Sequence, residues 1–361
     1  MQNAKKLILL AVMFSAVTIG LCLAKSLPET TWQRANKALQ LLDEYAQTQD
    51  KLQKSFVIKE EYTIVTKANW GIAKGYRKYF TVVEKRYDGD RISFRRKLWG
   101  DGKDSYIPKN RPHYKSYLWD GNDWYQYYSG SEDEPGRLHL RKGDNQRSHK
   151  VLVRRCLDGI VQGGPRAADG GYERVDATLR RADSISVRDR TEEIGGSKCY
   201  VIDAVTKYGK YTLWIDPQHG YNIAKMEVVK KGGDLIGPRG SPYQEEGTLL
   251  VRLKKVRFKL IGGIWLTVEG TKEANTTNGR GGRLYTREDI KRPEITLNPD
   301  PNALGLFLPD DIINGTEVWL PPINSVNYTW QDGEVVDANG RKVDFEKLNK
   351  KATKTKNAKP K

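Results

Sequence analysis

The sequence predicts an α+β protein: a large, curved antiparallel sheet, an open barrel, wrapped around helical material. Three observations lead there. One long amphipathic stripe occurs, near the start of the chain. Roughly a dozen short stretches with strand character follow it. Most of these are joined by Gly- or Asp-rich hairpin signals, and no repeat of fixed period breaks the order.

Ser26 and Glu29 have capping-box spacing, and Pro28 falls in the first turn, where its missing N–H costs little. Trp32, Ala35, Leu39, Leu42, Tyr45 and Ala46 recur at mostly three- and four-residue intervals, which makes one apolar stripe running to about Leu52. Such a stripe needs a sheet to lie against, and the sheet follows at once. Phe56 to Lys67 alternates, with Phe56, Ile58, Tyr62 and Ile64 on one face. Lys78–Tyr87 and Arg91–Trp99 flank Asp88-Gly89-Asp90, and Tyr114–Trp119 and Trp124–Tyr128 flank Asp120-Gly121-Asn122-Asp123. Between Ser129 and Ala182 the periodicity is poor, and short helices are expected over His149–Ile160 and Tyr172–Arg181.

Strands then resume. Ser184–Glu193 and Lys198–Thr206 surround Gly195-Gly196. Tyr211–Ile215 turns at Asp216-Pro217-Gln218-His219-Gly220 into Tyr221–Val229. Thr248–Leu260 and Ile264–Lys272 form the longest hairpin through Gly262-Gly263, and Leu284–Ile290 adds a further strand. Past a loop at 298–302, Leu304–Ile313 is mixed, and Val326–Trp330 and Glu334–Val336 flank Asp332-Gly333. The expected divisions are an export signal (1–24), a β-rich domain (25–295), a C-terminal extension (296–345) and a basic, disordered tail (346–361).

The signal has three parts. Lys5 and Lys6 form a basic start, Leu7–Leu23 is almost wholly apolar, and Cys22-Leu23-Ala24 closes it with small residues. A membrane anchor and lipid attachment at Cys22 are the alternatives. Export predicts a periplasmic or secreted protein. Loss of the signal leaves Cys156 and Cys199, which either pair as a disulfide or stay as two buried thiols.

A formal charge of +17 draws the protein to anionic partners, an anionic envelope surface among them. Export argues against nucleic acid as a partner. Tyr (19) and Trp (9) outnumber Phe (7), a skew toward aromatics that favour half-wet positions. No histidine has metal-ligand spacing with another histidine or with a cysteine, and neither a serine nucleophile elbow nor a phosphate loop occurs. The chain therefore reads as a non-enzyme with no cofactor and no metal.

Three stretches carry a resemblance: Glu193-Ile194-Gly195-Gly196-Ser197-Lys198-Cys199-Tyr200-Val201-Ile202, Leu213-Trp214-Ile215-Asp216-Pro217, and Gly220-Tyr221-Asn222-Ile223-Ala224-Lys225. This order, a Gly-rich hairpin leading to a strand that ends in a tryptophan–hydrophobic–Asp-Pro turn, resembles the envelope carriers of the LolA type. LolB, LppX and the N-terminal domain of the sigma-factor regulator RseB share it. The resemblance implies an open barrel with an apolar cavity that carries or senses lipid or a lipidated protein. Tyr62, Ile64, Phe80 and Val82 would line that cavity. Trp119 and Trp124 join them as ligand-binding candidates. Beside Asp101, Asp104, Asp120 and Asp123, these two tryptophans also fit the alternative of a glycan-binding module or carbohydrate-directed enzyme.

Overall fold

A computed structural model describes residues 30–51, 55–69, 74–102, 107, 109, 111–143, 173–235, 242–243, 246–320 and 323–345. The export signal, the basic tail, the helix expected over 149–160 and Cys156 lie outside them.

Helix α1 spans Thr31–Asp50. Its cap is Thr30, not Ser26: the Thr30 hydroxyl accepts from Gln33 N, and the Gln33 side chain answers to Thr30 N. Glutamine thus serves where the sequence reading looked for glutamate. The strands are β1 (Phe56–Ala68), β2 (Gly75–Tyr87), β3 (Ile92–Gly100), β4 (His113–Trp119), β5 (Asp123–Ser129) and β6 (Arg137–Lys142). After a short helix α2 (Val175–Leu179) come β7 (Ser184–Val187), β8 (Glu192–Ile194), β9 (Ser197–Thr206), β10 (Gly209–Asp216) and β11 (Asn222–Lys230). Next are β12 (Thr248–Ile261), β13 (Ile264–Thr277) and β14 (Arg283–Leu297). Helix α3 (Pro301–Leu304) leads to β15 (Glu317–Leu320), β16 (Ile323–Gln331) and β17 (Glu334–Val336).

Pairing runs β7–β9–β10–β11–β12–β13–β14–β1–β2–β3–β4–β5–β6–β15–β16–β17, with β8 on the first residues of β9. The sheet is antiparallel throughout except where β6 meets β15 in parallel, and it does not close. Strand β14 continues seven residues past its expected end at Ile290. Pro293, which has no N–H for a ladder, sits where the β1–β14 register shifts between Lys59 and Glu61. Two strands arise where none was expected. Arg-Leu-His-Leu-Arg-Lys of β6 alternates, but with charges on one face, and β15 is only four residues long.

Helix α1 does not lie on the strands that follow it. Its buried residues Ala38, Leu41, Leu42 and Tyr45 pack with Val187, Ile202, Ala204, Tyr211, Leu213, Met226 and Val228 of β7 and β9–β11. Thr48 Oγ1 donates to Gly220 O at 2.8 Å, fastening the helix end to the turn between β10 and β11. A second core forms on the other face of β4–β6. There Tyr114, Leu118, Tyr125, Tyr127, Leu138 and Leu140 meet Leu304, Phe307, Ile312, Val318, Tyr328 and Trp330 of the C-terminal segment. A third cluster joins Phe56, Ile58, Tyr87, Ile92 and Trp124 on the helix-side face. No helix among the described residues is long and apolar enough to cross a membrane.

Candidate functional site

Register decides which side chains share a face. Tyr62 opposes Thr81 and Ile64 opposes Tyr79, while Phe80 opposes Thr63 and Val82 opposes Glu61. Tyr62 and Ile64 therefore look toward the helix side, and Phe80 and Val82 look away from it. No one cavity is lined by all four. Tyr62 packs against the α1 core. Phe80 stacks on Trp99 at 6.1 Å, and Val82 and Trp99 line an outer hollow of about 440 Å³ with Arg95, Tyr114 and Asp311. Trp119 and Trp124 share the helix-side face, but Trp124 is buried in the third cluster and Trp119 packs against it. They are packed, not displayed as a platform.

The Tyr62 hydroxyl has a fixed duty: it donates to Glu60 Oε2 at 2.5 Å. Glu60 is fully buried at the β1–β14 irregularity, and also meets Lys85 Nζ at 2.6 Å and Arg292 Nε at 2.9 Å. Burial alone would raise the Glu60 carboxyl; Lys85 and Arg292 overcome that and hold it at about 2. The Tyr62 phenol moves the other way, raised by burial and by the neighbouring carboxylate. This trio ties β1, β2 and β14 together between two apolar clusters.

The open ground on the helix-side face lies beyond it, over β3–β6. A cavity of about 630 Å³ is lined there by Arg96, Leu98, His113, Lys115, Tyr128 and His139, with Arg137 and Glu317 at its side. Alternation puts Arg96 and Leu98 of β3 beside Lys115 and His113 of β4. Lys115 Nζ lies 4.3 Å from the Tyr128 ring centre and 4.6 Å from that of Tyr117. His139 meets Trp319 of β15 edge-on at 4.6 Å, and Arg137 pairs with Glu317 at 3.2 Å. Burial, with Arg137 and Arg141 adding to it, lowers the His139 pKa and favours its neutral ring. Arg96 and Lys115 therefore stand as cations over an aromatic and aliphatic floor. None of these residues stood among the ligand-binding candidates of the sequence.

Ser197, Asp216 and His219 gather where the Trp-Ile-Asp-Pro corner forms. Asp216 caps a 3-10 turn over Pro217–His219, and Gly220 follows with φ +68°. His219 Nδ1 lies 2.6 Å from Asp216 Oδ2, and Ser197 Oγ approaches that same nitrogen at 3.5 Å. A serine activated by histidine needs the base's second nitrogen, with the carboxylate on the first. Both partners crowd one nitrogen here, and the ring is held by Phe258 at 5.0 Å and Trp265 at 4.6 Å. The group braces a corner. Nearby, Cys199 is buried with its thiol toward Ser197 O at 3.6 Å, and burial, helped by Asp216, pushes its pKa up to about 12. No group of three or more His, Cys, Asp or Glu among the described residues is placed to hold a metal ion.

No protein-family model matches the chain, and no curated protein sequence matches it. Solved structures show a loose likeness. The chain is similar to a domain from Vibrio parahaemolyticus assigned to the outer membrane lipoprotein-sorting proteins, 13% identical over 75% of this chain and 97% of that one, with a TM-score of 0.36. A DUF1329 family protein from Desulfovibrio piger is 13% identical over 78% of this chain and 99% of its own, with a TM-score of 0.34. MucB, solved in complex with MucA, is 10% identical over 73% of this chain and 99% of its own, with a TM-score of 0.21. The likeness is loose and concerns fold alone.

Proposed function

We propose that this chain is a binding protein of the cell envelope that holds the anionic, acyl-bearing part of a lipid or lipidated protein on the helix-side face of β3–β6. The supporting observation is the 630 Å³ cavity. Ligand sites of a few hundred to a thousand cubic ångströms combine apolar walls with a few placed polar groups. Leu98, Tyr128 and His139 supply the walls, and Arg96 and Lys115 the charge. An acyl chain on the floor with its acidic head at Lys115 satisfies both halves. A carrier and a sensor would use this site alike and would differ in the protein they meet.

Native mass spectrometry of protein purified from its own envelope, before and after organic extraction, tests the reading. The expected result is a removable mass in the range of a phospholipid or acyl chain, absent from Lys115→Glu. An unchanged mass, or equal loading of Lys115→Glu, would sink it.

A further inference from the structure

Strands β12 and β13 form the longest hairpin, and its end is Leu260-Ile261-Gly262-Gly263-Ile264-Trp265. Gly262 and Gly263 have φ of +56° and +77°, the left-handed pair that a two-residue turn requires. Leu260 beside this turn is 53% exposed. Behind the tip, Lys255, Arg257 and Lys259 are exposed at alternate positions. Lys255 has φ +54° where the β12–β13 register shifts, a strained setting for a non-glycine residue. Arg257 pairs with Glu269 at 3.3 Å, whereas Lys255 and Lys259 meet no carboxylate at ion-pair distance among the described residues.

A groove of about 800 Å³ beside the tip brings Lys291 up to Lys259, Leu260 and Ile261. Its acids are mostly engaged. Glu269 faces Arg257 and Glu294 faces Lys59 at 2.7 Å, which leaves Glu61 against Lys259 and Lys291; Lys255 lies outside the groove, in the field of Asp289.

We infer that this tip is a docking surface for an anionic lipid bilayer. Leu260 and Ile261 enter the headgroup layer while Lys255, Lys259 and Lys291 meet lipid phosphates. An apolar tip alone would be indifferent to lipid charge, and lysines alone would serve any polyanion. The two together at one hairpin end match the interfacial pattern of apolar insertion backed by cations. The surface is separate from the cavity over β3–β6 and does not depend on it.

The full chain is sedimented with vesicles of phosphatidylcholine and of phosphatidylcholine with phosphatidylglycerol. Binding to the second only is expected. Lys255→Gln with Lys259→Gln weakens it by about 30-fold, and Leu260→Ala by roughly tenfold. All three tip residues are exposed, so unchanged melting temperatures verify that the variants fold. Equal binding to both vesicle types, or tip variants that bind like the parent chain, would overturn the inference. Binding that ignores Leu260→Ala and is fully displaced by polyglutamate would overturn it in favour of an acidic macromolecule.

Discussion

In the region built from β9–β11, the sheet buries the side that faces α1: Ile202, Ala204, Tyr211, Leu213 and Met226 go under the helix. In the region built from β4–β6 it buries the reverse side, where Tyr114, Tyr125, Leu138 and Leu140 take the C-terminal segment as their cover. Face and cover change together along one hydrogen-bonded sheet. Alternation sets the main apolar face of each strand, and α1 and the C-terminal segment cover the faces so presented; at the Asp216 corner β9–β11 also bury Cys199, Val201, Trp214 and Ala224 on the reverse side. Because the C-terminal segment shields the reverse side of β4–β6, the helix-side face there is free to carry Arg96, Lys115 and Tyr128 around a cavity.

Opening either core should leave the other largely intact. Trp330→Ala, in the second core, should cost about 3–5 kcal/mol, and Leu42→Ala, under the helix, about 2–5 kcal/mol. Hydrogen exchange should then show Trp330→Ala loosening β4–β6 and β15–β16, and Leu42→Ala loosening α1 and β9–β11. Identical exchange patterns in the two variants would mean one core, not two.

The seam between the regions is the Glu60 trio, and removing its charge is the next largest effect. Glu60→Gln leaves Lys85 and Arg292 buried without their anion and should cost about 3 kcal/mol in urea unfolding at neutral pH. The sign with pH follows from a carboxyl that falls from 4.5 to about 2 on folding. Its stabilisation is complete above pH 4.5 and is lost as pH drops toward 2, so parent and variant should converge in stability across that window. A constant gap would assign the effect to packing.

Smaller effects sharpen the helix-covered side. The Tyr211 hydroxyl is buried there with no hydrogen-bond partner among the described residues. Tyr211→Phe should therefore be neutral or stabilise by about 1 kcal/mol, measured by thermal melting; a loss of stability would mean that the hydroxyl has a partner. Cys199 should not react with a maleimide in the native protein at neutral pH. In denaturant without reductant, labelling of Cys199 marks a thiol, and its absence marks a bond to Cys156.

Much of this architecture was legible in the residues. Asp88-Gly89-Asp90, Gly262-Gly263 and Asp332-Gly333 each sit at the turn they signal, because a tight hairpin needs positive φ and only a few residues supply it cheaply. The α1 helix was equally plain, although its buried stripe takes in Ala38 and Leu41, and Trp32, expected on it, is 73% exposed. Three things were not. Local spacing says that a helix needs a sheet but not which part, and α1 passes over β1–β3 in favour of strands more than 130 residues on. Alternation gives two faces per strand, yet only register says which face of β2 matches which of β1, and that separated Phe80 and Val82 from Tyr62 and Ile64. Charged residues read as solvated, so nothing local marked Glu60 and Lys85 as buried partners, or Lys115 as the cation resting on Tyr117 and Tyr128.

The parallel pair of β6 with β15 joins residues 180 apart, Arg137 to Glu317 and Gly136 N to Thr316 Oγ1. A ribosome makes the first of these long before the second. Through that interval Tyr125, Tyr127, Leu138 and Leu140 have their strands but not their cover, so a chain that stops short of about residue 320 should present a sticky apolar wall. The second core therefore depends for its burial on residues from Leu304 onward, far along the chain from the strands they cover.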